Sequence, residues 1–192
     1  NDSNDGEFIY YDTGAATALV NGKGYAISPD GAQTVNLSGN MNTTNFIQVG
    51  ITNTADTYGN WNLIGNPYPS YYKMTDDASG QTDGTDNFLG DNDANLRTGY
   101  KAIYAWDGVT YDAYDHSTNT VNYIAPGEGF FIHMRDNTAS ANMNFRDKNQ
   151  VTSGGLNFNA SVARDDFKRE AVFKIKMEDG ENNEYDYVNL FF

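Results

Sequence analysis

The chain has no cysteine, so neither a disulfide framework nor thiolate metal ligands are open to it, and cysteine usage leaves the redox compartment undecided. Basic side chains are scarce: 12 Lys and Arg stand against 26 Asp and Glu, a formal charge of -14. A surface of that sign repels phosphate backbones and anionic bilayers, which argues against nucleic acid as a partner. No run approaches the roughly 20 apolar residues that a membrane-spanning helix needs, and no membrane insertion is expected. The opening residues, 1–6, lack the charged and apolar regions of a signal peptide. There are two histidines, and no Gly-x-Ser-x-Gly elbow, His-Glu-x-x-His pair or phosphate-binding loop. Helix signals are almost absent. No catalytic residue is singled out, although the many acids leave unplaced the carboxylate pair that a glycosidase would need.

What is abundant is aromatic. Fourteen Tyr, 11 Phe and 2 Trp make up 14% of the chain, and 19 Gly with many Asn and Asp supply turns, a balance suited to pleated, half-buried sheets. Strands are expected over 18–20, 24–28, 34–38, 46–51, 61–64, 99–106, 122–124, 129–134, 141–145, 171–177 and 185–192. In 171–177 the alternation puts Phe173, Ile175 and Met177 toward a core and Lys174 and Lys176 toward water. Asp179-Gly180 then favours a hairpin into the last strand. Between Thr75 and Arg97 the pattern dissolves into Asp, Asn, Gly and Thr, which reads as a surface loop.

One motif occurs twice. Gly22-Lys23-Gly24-Tyr25-Ala26-Ile27 is matched by Gly127-Glu128-Gly129-Phe130-Phe131-Ile132, and each copy follows an aromatic strand and an Asp turn, 8–12 in one case and 103–108 in the other. The repetition suggests an internal duplication, over approximately 8–60 and 100–150, within one domain of 192 residues that 151–192 closes. Both Gly-x-Gly pairs are read as turns that need glycine freedom before a buried strand, Gly129 included. A dinucleotide fingerprint would need a third Gly where Ile27 and Ile132 stand.

At Trp61-Asn62-Leu63-Ile64-Gly65-Asn66-Pro67-Tyr68-Pro69-Ser70 a strand runs into a rigid corner. Trp61, Leu63 and Ile64 are expected in the core, and Tyr68-Pro69 is a candidate cis bond. Together with Ala125-Pro126-Gly127-Glu128-Gly129-Phe130-Phe131-Ile132, this segment resembles an all-β module recurrent in large secreted and cell-surface proteins of Bacteroidota, often near a type IX secretion sorting domain. The resemblance covers most of the chain from Gly22 onward. It implies a secreted or cell-surface location and an accessory role beside polysaccharide-degrading domains or in adhesin-like proteins, and it carries no catalytic residues. Tyr71-Tyr72-Lys73 stand where that resemblance would put small or acidic residues. The abrupt ends of the sequence fit a module with neighbouring domains in a larger parent protein.

The candidate ligand contacts are aromatic residues in loops, with polar neighbours: Tyr71, Tyr72, Arg97, Trp106, Tyr111, Tyr114 and His116. Sugar rings stack their C–H faces on such planes, while Arg or His fixes hydroxyls. His133, inside a strand, reads as a packed residue. The acidic loop offers Asp76, Asp77, Asp83, Asp86, Asp91 and Asp93 as oxygen ligands for a structural Ca²⁺, without the spacing of an EF-hand. The reading is an all-β sandwich, jelly-roll-like, with two similar halves and long surface loops, acting as a non-catalytic carbohydrate-binding module. Its polysaccharide should be neutral or sparsely charged, since a dense polyanion is repelled. The alternatives are a structural or adhesin spacer that binds no glycan and, more weakly, a polysaccharide-active enzyme.

Overall fold

The fold is all-β, built from antiparallel sheets in a sandwich-like arrangement. The computed structural model describes residues 19–26, 40, 42–53, 59–75, 86–106, 110–115 and 121–152, and the strand backbones at 172–178 and 184–191. In chain order the strands are β1 (Phe46–Thr52), β2 (Trp61–Gly65), β3 (Tyr71–Lys73), β4 (Ile103–Trp106), β5 (Tyr111–Tyr114), β6 (Tyr123–Ile124), β7 (Gly129–His133), β8 (Ser140–Arg146), β9 (Gln150–Val151), β10 (Val172–Glu178) and β11 (Glu184–Phe191). One short helix, α1 (Phe88–Asn92), lies between β3 and β4.

A four-stranded sheet, β2-β7-β4-β5, forms one wall. Opposite it stand the β1-β8 ribbon and the three-stranded sheet β6-β3-β9. Strand alternation explains the shared core: β1 turns Val49 and Ile51 inward, β8 turns Met143 and Phe145 inward, and the wall contributes Ile64, Phe130, Ile132, Ile103 and Ala105. Phe88 of α1 packs against Phe130 of the wall (5.4 Å between centroids) and against Phe145 of the ribbon (4.9 Å), so it joins the two layers. Asn62 stitches them at the edge, its side chain exchanging hydrogen bonds with the Thr52 backbone in both directions.

Phe88 and Leu89 lie in a stretch read from sequence as surface loop, and the structure corrects that reading over 86–97. Asn87 caps α1 by accepting from the Gly90 amide, and Asn92 of α1 exchanges hydrogen bonds with the Asn144 backbone of β8. Polar side chains spent on backbone groups let this short helix bury its two apolar residues, an arrangement that hydrophobic periodicity does not signal. Strands β3, β5 and β9 are also absent from the sequence reading, while the strands expected at 18–20 and 24–28 do not appear among the described residues 19–26, where the one pairing is an isolated bridge at Lys23 between them. The last two strands pair as expected, with a bulge between Met177 and Glu178; the facing of Lys174 and Lys176 lies outside what is described, as does the strand expected over 34–38.

The two Gly-x-Gly copies meet on one strand. Lys23 bridges Ile64 on one edge of β2, with hydrogen bonds from the Gly24 amide to the Leu63 carbonyl and from the Gly65 amide to the Gly22 carbonyl. On the other edge β7 pairs Gly129 with Gly65, and the Asn66 amide donates to the Glu128 carbonyl. Gly22 (φ 76°) and Gly127 (φ 72°) share the left-handed conformation. Gly129 does not, and a Cβ there would meet ordinary van der Waals contacts at 3.6 Å, so the constraint expected at Gly129 belongs to Gly127 instead. Residues 8–12 of the first copy lie outside the described residues.

The corner after β2 is architectural. Asn66 donates to the carbonyls of Ser70 and Ala125 and accepts from the Tyr68 amide, and the Tyr68 hydroxyl donates to the Phe145 carbonyl. Tyr68-Pro69 is trans, contrary to the expected cis bond. Burial, with the charge of Asp147, pushes the Tyr68 phenol up to about 12.

Candidate functional site

Strand period places a row of aromatic rings on the outer face of the four-stranded sheet. Phe130 and Ile132 of β7 point into the core, so Phe131 and His133 point away from it. Register then carries that outer face across the sheet: Trp61 and Leu63 of β2 lie opposite His133 and Phe131, Tyr104 of β4 lies opposite Phe131, and Tyr111 of β5 lies opposite Trp106. Four strands at about 4.8 Å spacing make this face roughly 14 Å wide.

The rings form a ribbon of two packed clusters, set side by side by the pairing of Tyr104 with Phe131. Trp106 packs on Tyr111 (4.9 Å between centroids), Tyr111 meets Phe131 edge-on (5.5 Å), and Trp61 contacts Tyr104 (4.8 Å) and His133 (4.7 Å). Tyr100, just before β4, extends it beyond the sheet by packing on His133 (4.7 Å) with the Arg97 guanidinium 5.0 Å from its ring centre. Side chains paired across strands hold one another in place, so the ribbon is ordered before any ligand arrives. Its ends are open: Trp106 is 45% exposed, Tyr111 51% and Tyr100 40%.

His133 holds the ribbon from below. It is buried, its Nδ1–H donates to the Met134 carbonyl (2.9 Å), and Nε2 faces Arg97 Nη1 at 3.4 Å. Burial, aided by the Arg97 charge, lowers its pKa despite the Met134 bond. The unfolded chain therefore takes up a proton near pH 6.5 that the folded chain refuses, so stability is full above that value and is lost as pH falls toward the folded pKa. Melting temperature should decline in this window for the native protein and decline less for His133→Gln; parallel profiles would remove His133 as the cause.

The structure unites some of the expected contacts and separates others. Trp106, Tyr111 and Arg97 belong to the ribbon. Tyr114 sits opposite Ile103 and packs against the core from the inner face of the sheet. Tyr71 is on β3, in the other layer. Tyr72 is a correction: it is 0% exposed, stacked on Tyr68 (5.7 Å), and its hydroxyl accepts from the Arg146 amide (2.6 Å) and Asn149 Nδ2 (3.2 Å). His116 lies outside the described residues. Trp61 and Leu63, expected in the core, face the other way from Ile64, because a residue one or three positions along a strand takes the opposite face. Tyr100, Tyr104 and Phe131 were not among the expected contacts. The signal for Tyr104 and Phe131 was the period of two in 103–106 and 129–133, where aromatics interleave with Ile103, Ala105, Phe130 and Ile132, whereas Tyr100, before β4, had none.

The acidic loop is engaged where it is described. Asp91 has a side chain only 3% exposed and accepts from Arg146 Nε (3.0 Å) and Asn149 Nδ2 (2.8 Å), with burial raising its pKa. Asp86 accepts from Lys148 (2.7 Å) and Asp93 from Lys101 (2.6 Å). These three carboxylates thus turn to three different bases rather than to one shared cation. Among the described residues no group of three His, Cys, Asp or Glu could hold a metal ion. Asp76, Asp77 and Asp83 lie outside them.

No family model matches the chain, and no curated protein or solved structure matches it.

Proposed function

We propose that this domain is a non-catalytic carbohydrate-binding module of a secreted or cell-surface protein, and that the aromatic ribbon on the outer face of β2-β7-β4-β5 is its polysaccharide platform. The observation that supports this reading is the preordered row from Trp106 and Tyr111 through Phe131, Tyr104 and Trp61 to Tyr100. The half-exposed rings of Trp106, Tyr111 and Tyr100, braced edge-to-face by the rings between them, offer apolar planes to the C–H faces of sugar rings, and the width of the sheet suits several rings rather than one. The pairing of His133 with Met134 and Arg97 makes it a support for the ribbon rather than a proton donor to a substrate. The same open apolar face would serve a spacer module docking against neighbouring domains, and this second reading predicts no glycan binding.

Affinity electrophoresis through gels containing neutral and sparsely charged polysaccharides tests the proposal. Retardation is expected, and Trp106→Ala or Tyr111→Ala should weaken it by about 1–3 kcal/mol without lowering the melting temperature much, since both rings are half exposed. Wild-type retardation of the folded double variant would place the platform elsewhere. No retardation on any glycan would favour the spacer, and release of reducing sugar would reveal an enzyme.

A further inference from the structure

Beyond Tyr100 the ribbon runs into a depression of about 330 Å³, at the small end for ligand sites, whose lining includes Arg97, Lys101, Arg135, Asp93 and Asp136. Over the whole chain acids outnumber bases by 26 to 12, yet here three bases face two acids. Both acids are already taken. Arg97 Nε pairs with Asp136 (3.0 Å) and Lys101 Nζ with Asp93 (2.6 Å). Arg135 is exposed, and its guanidinium donates through Nη1 to the Ala94 carbonyl (3.2 Å) with no carboxylate partner among the described residues. A guanidinium so placed keeps most of its fork of donors for an incoming oxyanion, and the two neighbouring ion pairs prevent the adjacent acids from competing for it.

We infer that this depression is an acidic-sugar subsite, in which Arg135 binds the carboxylate of a uronic acid carried at intervals on the polysaccharide that lies along the aromatic ribbon. The inference rests on the platform reading and narrows it to a glycan class. The charge of the rest of the molecule sets the spacing: the surrounding acids repel a uronate at every residue, whereas a single carboxylate delivered to this locally basic patch is attracted. Arg97, shared between the Tyr100 ring and the depression, fixes the distance between the stacked sugars and the charged one.

The test uses glucuronoxylan, a neutral backbone with scattered uronates, beside the same polymer after chemical reduction of its carboxyl groups. The native protein should bind the uronate form about tenfold more tightly, with an advantage that shrinks as salt rises. Arg135→Gln should erase the advantage and leave binding of the reduced polymer unchanged, while Arg135→Lys, which keeps the charge without the fork, should retain part of it. Trp106→Ala should weaken binding to both polymers. Equal affinity of the native protein for the two forms, or an equal loss on both in Arg135→Gln, would overturn the subsite and leave the platform standing. Binding to neither polymer would overturn the subsite and count against the platform as well.

Discussion

Tyr72→Ala is expected to lower the unfolding free energy by about 3–5 kcal/mol, a large share of the roughly 5–15 kcal/mol that holds a domain together. The side chain fills the space between Tyr68 and Phe145, stacked at 5.7 Å on the first and tilted at 5.3 Å against the second, so its removal leaves a cavity that two rings cannot close. Its hydroxyl also satisfies the Arg146 amide and Asn149 Nδ2, and Asn149 already has its Oδ1 buried without a partner. Tyr72→Phe keeps the ring and removes only that acceptor, at an expected cost of about 1–3 kcal/mol. Urea denaturation of the two variants separates packing from hydrogen bonding. A Tyr72→Ala protein that melts like the native one but binds glycan less well would return Tyr72 to the ligand surface and contradict its burial.

Tyr72 also shows where sequence stops being legible. Adjacent tyrosines in an extended segment must face opposite ways, so one of Tyr71 and Tyr72 had to be inward, but only the pairing of β3 with β6 and β9 decides which. Strand existence was readable where apolar residues alternate, as in β1, β7 and β8, because one face of each is buried against a common core. It was not readable in β5, whose Tyr111, Asp112 and Ala113 are all exposed and which exists because β4 supplies a partner. The site followed the same rule. Trp106 and Tyr111 could be named from composition and turn placement, whereas Trp61, Tyr104 and Phe131 join them only through register across three strands. Arg135 carried no signal at all: that its guanidinium meets no carboxylate among the described residues depends on Asp136 and Asp93 being claimed by Arg97 and Lys101.

Gly22→Ala is expected to destabilise the fold by about 2–4 kcal/mol, and Gly129→Ala by less than about 1 kcal/mol, although the two residues belong to copies of the same motif. Two independent effects act at Gly22. Its φ of 76° costs an L-residue about 1 kcal/mol, and an added Cβ would lie 2.3 Å from Val49 Cγ2, inside the core. Val49 is β-branched and packed, so relief requires moving β1 or the Gly22 carbonyl that accepts from the Gly65 amide. At Gly129 the backbone is ordinary, and the nearest atoms to a new Cβ, the Ile64 carbonyl oxygen at 3.6 Å and Leu63 Cδ1 at 3.7 Å, already stand at contact distance. Gly127→Ala should fall between them, since it bears the φ of 72° on an exposed turn. Within the ranking Gly22, Gly127, Gly129 in melting temperature, the step from Gly22 to its counterpart Gly127 is therefore a reading of which copy of the motif is pressed against the core. Equal losses at Gly22 and at Gly127, its counterpart in the other copy, would mean that the shared φ alone sets the cost and that the contact with Val49 adds nothing.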